Sequence, residues 1–236
     1  MSPALISVLQ NSCAWLREAL FPSRCIFCFG LGPVVHNECA NLAVFSDAIP
    51  VIDGLDELFI GYDYDDPQVK KIIEYFKFRG MTDLTPFLAQ QLGERGRIKV
   101  EGWKEDSFKS PPFNSPLVQG GGGLVLISIP LHWTRRWWRG FNQAESLARG
   151  LGKVFDLQVS TDLKRTKRTQ QQARLDKVAR RKNMDQAFAW RGSTVPEAVI
   201  LVDDVLTSGA TMAAAATVLR EAGVKRVYGL VWAKGK

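Results

Sequence analysis

Two neighbouring carboxylates, Asp203 and Asp204, are followed by Val205, Leu206, Thr207, Ser208, Gly209, Ala210 and Thr211. An apolar run, Ala198 to Val202, precedes them, and a helical pattern runs from Ala210 to Ala222. Where a strand of an open α/β sheet hands over to a helix, the loop lies beyond the carboxyl end of the strand, which is where such sheets bind ligands. Thr207 to Thr211 offer consecutive backbone N–H groups and hydroxyls at a helix N-terminus, which attract a phosphate through hydrogen bonds and the helix dipole. Gly209 lacks the Cβ that would keep a phosphate at a distance. Two carboxylates just ahead of such a cradle can hold ribose hydroxyls, so a phosphorylated sugar fits both halves. The same residues also read as a capping turn, with Asp203 and Asp204 as cap and surface acid.

A second constellation lies near the N-terminus. Cys25 and Cys28 are separated by two residues, and His36 and Cys39 repeat that spacing after a gap of seven. Two such pairs suit a tetrahedral zinc knuckle, each pair making a tight chelating turn. Four protein ligands leave no open position, so the Zn2+ would be structural. The segment is too short to fold on apolar burial alone. The alternative is a set of reduced thiols without metal. Cys13 reads as a small apolar residue of the preceding helix, and His132 as a lone histidine without a role.

Charge is concentrated rather than spread. The formal charge is +7, yet Leu131 to Lys182 holds nine Arg and five Lys against four acids, leaving the rest slightly acidic. Such a block suits a polyanion, either the phosphates of a small molecule or a nucleic acid, or else forms a solvated basic face. Arg135, Arg136 and Arg139 follow the apolar run that ends at Ile129; a guanidinium fork matches phosphate oxygens. Trp137 and Trp138 beside them also allow base stacking.

The string from Val199 to Thr211 resembles the phosphoribosyl-diphosphate (PRPP) signature of the type I phosphoribosyltransferases. Arg139-Gly140-Phe141-Asn142-Gln143 resembles a motif of the competence protein F (ComF) family. Three further stretches match that family's pattern. They are Tyr75-Phe76-Lys77-Phe78-Arg79-Gly80, Leu163-Lys164-Arg165 with Thr169-Gln170-Gln171-Gln172, and Arg180-Arg181-Lys182-Asn183 running to Ala187-Phe188. The resemblance extends from Leu20 to the C-terminus. The family usually shows Cys-x2-Cys twice, and His36 stands here where a cysteine would be.

The resemblance implies a type I phosphoribosyltransferase fold, a parallel sheet flanked by helices, with a small N-terminal zinc knuckle. It puts Asp203 and Asp204 on the ribose hydroxyls, as the catalytic carboxylates that stabilise a cationic sugar, and Thr207 to Thr211 around the 5′-phosphate. Mg2+ would be bound chiefly by PRPP itself. Arg135, Arg136, Arg139, Lys164 and Arg165 would face the pyrophosphate, and residues 164–183 would form a mobile basic loop that closes over it. The implied partners are PRPP or another phosphorylated ribose, and single-stranded DNA or competence and DNA-processing proteins. Three functions follow: a phosphoribosyltransferase linked to DNA uptake, a PRPP- or nucleotide-binding regulator without turnover, and a factor associated with single-stranded DNA. The acceptor of a transfer reaction is not legible.

These residues need elements to hold them. The patterning predicts a helix over 4–20, a strand over Leu58–Asp63, a helix from Pro67 to about Phe78, and a second from Thr85-Pro86 to Leu92 or a little further. Residues 97–123, with scattered prolines and four closing glycines, read as a long loop insertion. Then come a strand over Leu124–Ile129, a helix over Phe141–Val154, a strand over Ala198–Val202, the helix over 210–222 and a strand over Arg226–Trp232. Alternation of strands and helices predicts a parallel α/β sheet. The expected division is residues 1–45 for the N-terminal helix and zinc segment and 46–236 for the phosphoribosyltransferase-like domain. With apolar runs too short to span a bilayer and no signal-peptide pattern, a cytoplasmic protein is expected.

Overall fold

The structure is a computed structural model that describes residues 23–78, 82–108, 123–131, 140–166 and 187–235. The helix expected over 4–20 lies outside the described residues. The chain divides into two compact units, Met1–Asn41 and Leu42–Lys236.

In the larger unit the chain runs through β1 (Glu57–Asp63), α1 (Pro67–Phe78), a 3-10 turn (Thr82–Leu84) and α2 (Thr85–Phe108). It continues with β2 (Leu124–Ser128), α3 (Gln143–Phe155), β3 (Val159–Ser160), β4 (Leu163–Arg165), β5 (Phe188–Trp190), β6 (Ala198–Leu206), α4 (Ala210–Glu221) and β7 (Arg226–Lys234). Five strands form one parallel sheet in the order β1-β7-β6-β2-β3. The short strands β4 and β5 pair antiparallel beside it. The architecture is therefore the expected α/β class with a parallel sheet flanked by helices.

Helices on both faces explain why the central strands are buried on successive residues and almost wholly apolar: all five residues of β2, Ser128 the one polar among them, and Ala198 to Val202 of β6 are buried. One buried cluster joins Ile127, Val199 and Leu201 to Ala215, Ala216 and Leu219 of α4, and includes Leu163 and Phe188 of the small sheet. The residues that alternate with them, such as Leu126 and Ile200, are equally buried, on the face covered by α3. α1 starts as its sequence dictates. Asp66 Oδ1 accepts from the N–H groups of Gln68 at 2.7 Å and Val69 at 3.0 Å, with Pro67 in the first turn, where no N–H is needed.

Two expectations are corrected. The second helix does not stop near Leu92 but continues to Phe108, so residues 97–108 are helical rather than loop; residues 109–122 lie outside the described residues. Gly93, Gly96 and Gly102 argue against a helix by propensity, but tertiary packing overrides that. At Gly93 an added Cβ would lie 2.5 Å from Val154 Cγ1 of α3, and at Gly150 of α3 it would lie 2.7 Å from Ala89 Cβ of α2. The glycines let the two helices approach closely. The second correction concerns β6, which runs four residues past Val202. Asp203, Val205 and Leu206 stay in register with Val231, Ala233 and Lys234 of β7.

Gly150→Ala is expected to destabilise the protein by about 1–3 kcal/mol, because the Ala89 methyl cannot rotate away. An alanine free of that clash would instead stabilise a helix by about 1 kcal/mol. A urea melt followed by far-ultraviolet circular dichroism decides the sign.

Candidate functional site

The sheet order contains one reversal. From β2 the chain passes through α3 to β3 on one side, whereas from β6 it passes through α4 to β7 on the other. β2 and β6 are neighbours, paired from Leu124↔Ala198 to Ser128↔Val202. Their carboxyl ends therefore frame the crevice left where crossovers diverge, the usual ligand position in such sheets. Asp203, Asp204 and the turn Thr207-Ser208-Gly209 stand at that point.

Gly209 has φ 74° and precedes α4, and a Cβ there would collide with Ile52 Cδ1. The left-handed backbone favours glycine, and the terminal methyl of Ile52 fills the space beside it. Thr207 and Ser208 are exposed. The first-turn N–H groups of α4 have no intrahelical acceptors and point past the turn, and Ser208 Oγ accepts only a long contact, 3.5 Å, from Ala210 N–H.

The two acids differ. Asp204 is buried, and its Oδ2 pairs with Lys77 Nζ at 3.2 Å. Its own N–H donates to Asp203 Oδ1 at 2.9 Å. Burial, and next the charge of Asp204, push the Asp203 carboxyl well above the usual carboxylate range, against the pull of the Asp204 N–H and of Lys77. Tyr64, just after β1, is raised by burial and by the charges of Glu74 and Asp204. Lys77 is the residue that sequence reasoning missed as a site member. It was visible within Tyr75 to Gly80, but nothing local linked it to an acid so far along the chain.

Of the basic residues singled out for pyrophosphate, Arg135, Arg136 and Arg139 lie outside the described residues. Lys164 and Arg165 do not belong to a loop: they form β4, with Lys164 opposite Ala189 and Arg165 opposite Phe188. Lys164 is exposed, while the Arg165 guanidinium lies 5.4 Å from the Phe188 ring centroid. Thr166 N–H donates to Ala187 O at 2.8 Å, so the two strands close the base of segment 167–186, which is outside the described residues.

In the smaller unit, Cys25, Cys28, His36 and Cys39 converge, with all four ligand atoms within 4.8 Å of one another. Cys28 Sγ lies 3.3 Å and Cys39 Sγ 3.9 Å from His36 Nδ1. These bracket the roughly 3.5–3.8 Å that bond lengths near 2.0–2.3 Å impose between tetrahedral zinc ligands. His36 Nε2 faces Leu31 O at 3.3 Å, the outer hydrogen bond that fixes a metal-binding tautomer. Gly30 N–H donates to Cys28 Sγ at 3.4 Å. Burial would raise the Cys25 thiol, but backbone N–H groups of Cys28, His36 and Phe27 outweigh it and bring it to about 6. Burial and the neighbouring Cys28 and Cys25 sulfurs push Cys39 up to about 11. A central cation relieves that crowding of thiolates, so the donor set is compatible with a structural zinc.

No helix among the described residues is long and apolar enough to cross a membrane. Metal analysis of purified protein is expected to give one zinc per chain, lost in His36→Ala and kept in His36→Cys; a zinc-free His36→Cys protein would contradict the four-ligand site.

No family model matches the chain. Among relatives, competence protein F of Haemophilus influenzae is 37% identical over 112 residues, 46% of this chain and 48% of the relative. DNA utilization protein YhgH of Escherichia coli O157:H7 is 35% identical over 108 residues, 45% and 47% of the two chains. Competence protein ComFC of Streptococcus pneumoniae is 32% identical over 102 residues, 43% and 44% of the two chains. The matched region spans about half the length of these relatives. Over that region the chain is similar to competence protein F, ComFC and YhgH.

Proposed function

We propose that this chain binds a phosphorylated ribose, PRPP carried with Mg2+, at Asp203 to Thr211, within a protein that serves DNA uptake. The observation that carries the reading is the position of the acid pair and the Gly209 turn at the divergence of the β2 and β6 crossovers. The relatives' names, competence protein and DNA utilization protein, supply the physiological context. The fold that goes with this reading is that of a type I phosphoribosyltransferase, and the domain boundary falls near residue 45.

The site residues take distinct tasks. The α4 N-terminus and the hydroxyls of Thr207, Ser208 and Thr211 receive the 5′-phosphate. Asp203 and Asp204 accept hydrogen bonds from the ribose hydroxyls. Among the described residues the one cluster suited to hold a metal is the cysteine–histidine set. Mg2+ would be held chiefly by the diphosphate, as suits an ion that dehydrates reluctantly. When bound, the ion neutralises the leaving pyrophosphate. If transfer occurs, positive charge develops on the sugar next to these carboxylates, which are placed to stabilise it. Lys164 and the arginines at 135, 136 and 139 are the groups to receive the pyrophosphate. Binding without turnover uses the same contacts.

The raised pKa of Asp203 has a stability consequence of defined sign. Folding raises this pKa, so between the ordinary carboxylate value, about 4, and the raised one the native state retains a proton that the unfolded chain has released. Stability is lost as pH rises through the folded value. Asp203→Asn keeps the oxygen that accepts from Asp204 N–H but cannot ionise. It is expected to raise the melting temperature by about 2–4 °C at pH 8, with the gain vanishing toward pH 4. The same variant is expected to lose the thermal shift that Mg2+ with PRPP gives the parent. Differential scanning fluorimetry reads both effects, and an undiminished PRPP shift in the variant removes Asp203 from the ribose.

A further inference from the structure

The Lys77–Asp204 pair raises a question that fold stability does not answer. Both side chains are largely withdrawn from water, at 16% and 12% exposure. Taking two charges out of water costs about as much as their attraction returns, so apolar residues of similar size would serve stability equally well. The pair is also anchored from outside its own helix. Gln143, 1% exposed at the start of α3, donates from Nε2 to Lys77 O at a long 3.5 Å. Phe76, next to Lys77, packs edge-on against Phe141 with ring centroids 5.6 Å apart. Asn142 Nδ2 donates to Ile129 O at 3.2 Å, fastening the same end of α3 to the end of β2. Three elements, α1, α3 and β2, thus fix the backbone from which the lysine reaches the acid.

We infer that Lys77 is a positioning residue for Asp204, holding its carboxylate in one orientation at the crevice between β2 and β6. The inference rests on the sugar-phosphate reading of that crevice and adds a residue that reading does not contain. Its chemistry is electrostatic. The Lys77 ammonium, 3.2 Å from Asp204 Oδ2, offsets part of the negative charge that two adjacent acids would concentrate there. A ribose hydroxyl arriving at Asp204 then meets an acceptor already oriented, with its second lone-pair direction occupied by the ammonium. Lys77 acts through Asp204, not on the reacting atoms.

A double-mutant cycle tests this with Mg2+–PRPP as the probe and the full chain as the protein. Lys77→Met is expected to weaken binding about tenfold, within the range for groups in direct contact. Lys77→Arg, which keeps the charge, is expected to restore most of the loss. In an Asp204→Asn background the lysine has nothing left to orient, so adding Lys77→Met should change affinity less than twofold. Equal losses in the parent and Asp204→Asn backgrounds, or a folded Lys77→Met protein that binds like the parent, overturn the inference while leaving the sugar-phosphate site standing. A parent that binds no Mg2+–PRPP removes that site, and the positioning role with it. The same four proteins, melted without ligand, give a check that needs no PRPP: Lys77→Met should lower the melting temperature and the added Asp204→Asn should recover it, whereas additive losses contradict the coupling.

Discussion

β6 must be two things along nine residues. Its first half is the apolar centre of a parallel sheet covered by helices on both faces, and its second half carries two carboxylates while still paired to β7. A central strand can do this only where the covering layers part, and they part where the crossovers from β2 and β6 run in opposite directions. The rest of the larger unit follows from holding that point. α2 and α3 close tightly over one face through Gly93 and Gly150. α4 and the small β4–β5 sheet fill the other. The segment around Ile52 is fastened to α4 by Arg220, which reaches Gly54 O at 3.1 Å and Asp56 Oδ2 at 2.7 Å. That places Ile52 against Gly209, its terminal methyl filling the space beside the turn.

The electrostatics of the point are unfavourable by design of position rather than by chance of composition. A buried carboxylate beside another carboxylate resists ionisation, and Asp203 shows that resistance. One ammonium, contributed from α1, offsets part of it. Destabilised acids of this kind concentrate where a ligand is bound, though ion-pair networks of purely structural origin perturb titration too. Here the acids, the exposed hydroxyls and the positive end of α4 stand together at the end of β6, and the proposed sugar-phosphate site rests on that arrangement.

Legibility in the sequence tracked how local each determinant is. The cysteine–histidine cluster was readable because chelating turns are set by spacing of two residues, and the convergence of Cys25, Cys28, His36 and Cys39 needs little from the remainder of the chain. The strands β1, β2 and β7 and the helices α1, α3 and α4 were readable from apolar period and caps such as Asp66-Pro67. The far half of α2 was not, because Gly93, Gly96 and Gly102 lower its propensity, and the first two are explained only by their fit against Val154 and Leu230. The extension of β6 was hidden because adjacent aspartates are poor strand formers, and it is the ladder with β7 that keeps them extended. Lys77 was hidden for a different reason. Its motif was plain, but its partner lies on a strand from the other end of the chain, and a single sequence carries no signal for such a pairing.

The most direct test of the account is a calorimetric titration of PRPP with Mg2+ into the zinc-loaded protein, run beside Asp203→Ala/Asp204→Ala. The account predicts saturable one-to-one binding by the parent and none by the double variant. Absence of binding by the parent, or equal binding by both proteins, would contradict the assignment of the acid pair and the Gly209 turn to a sugar phosphate.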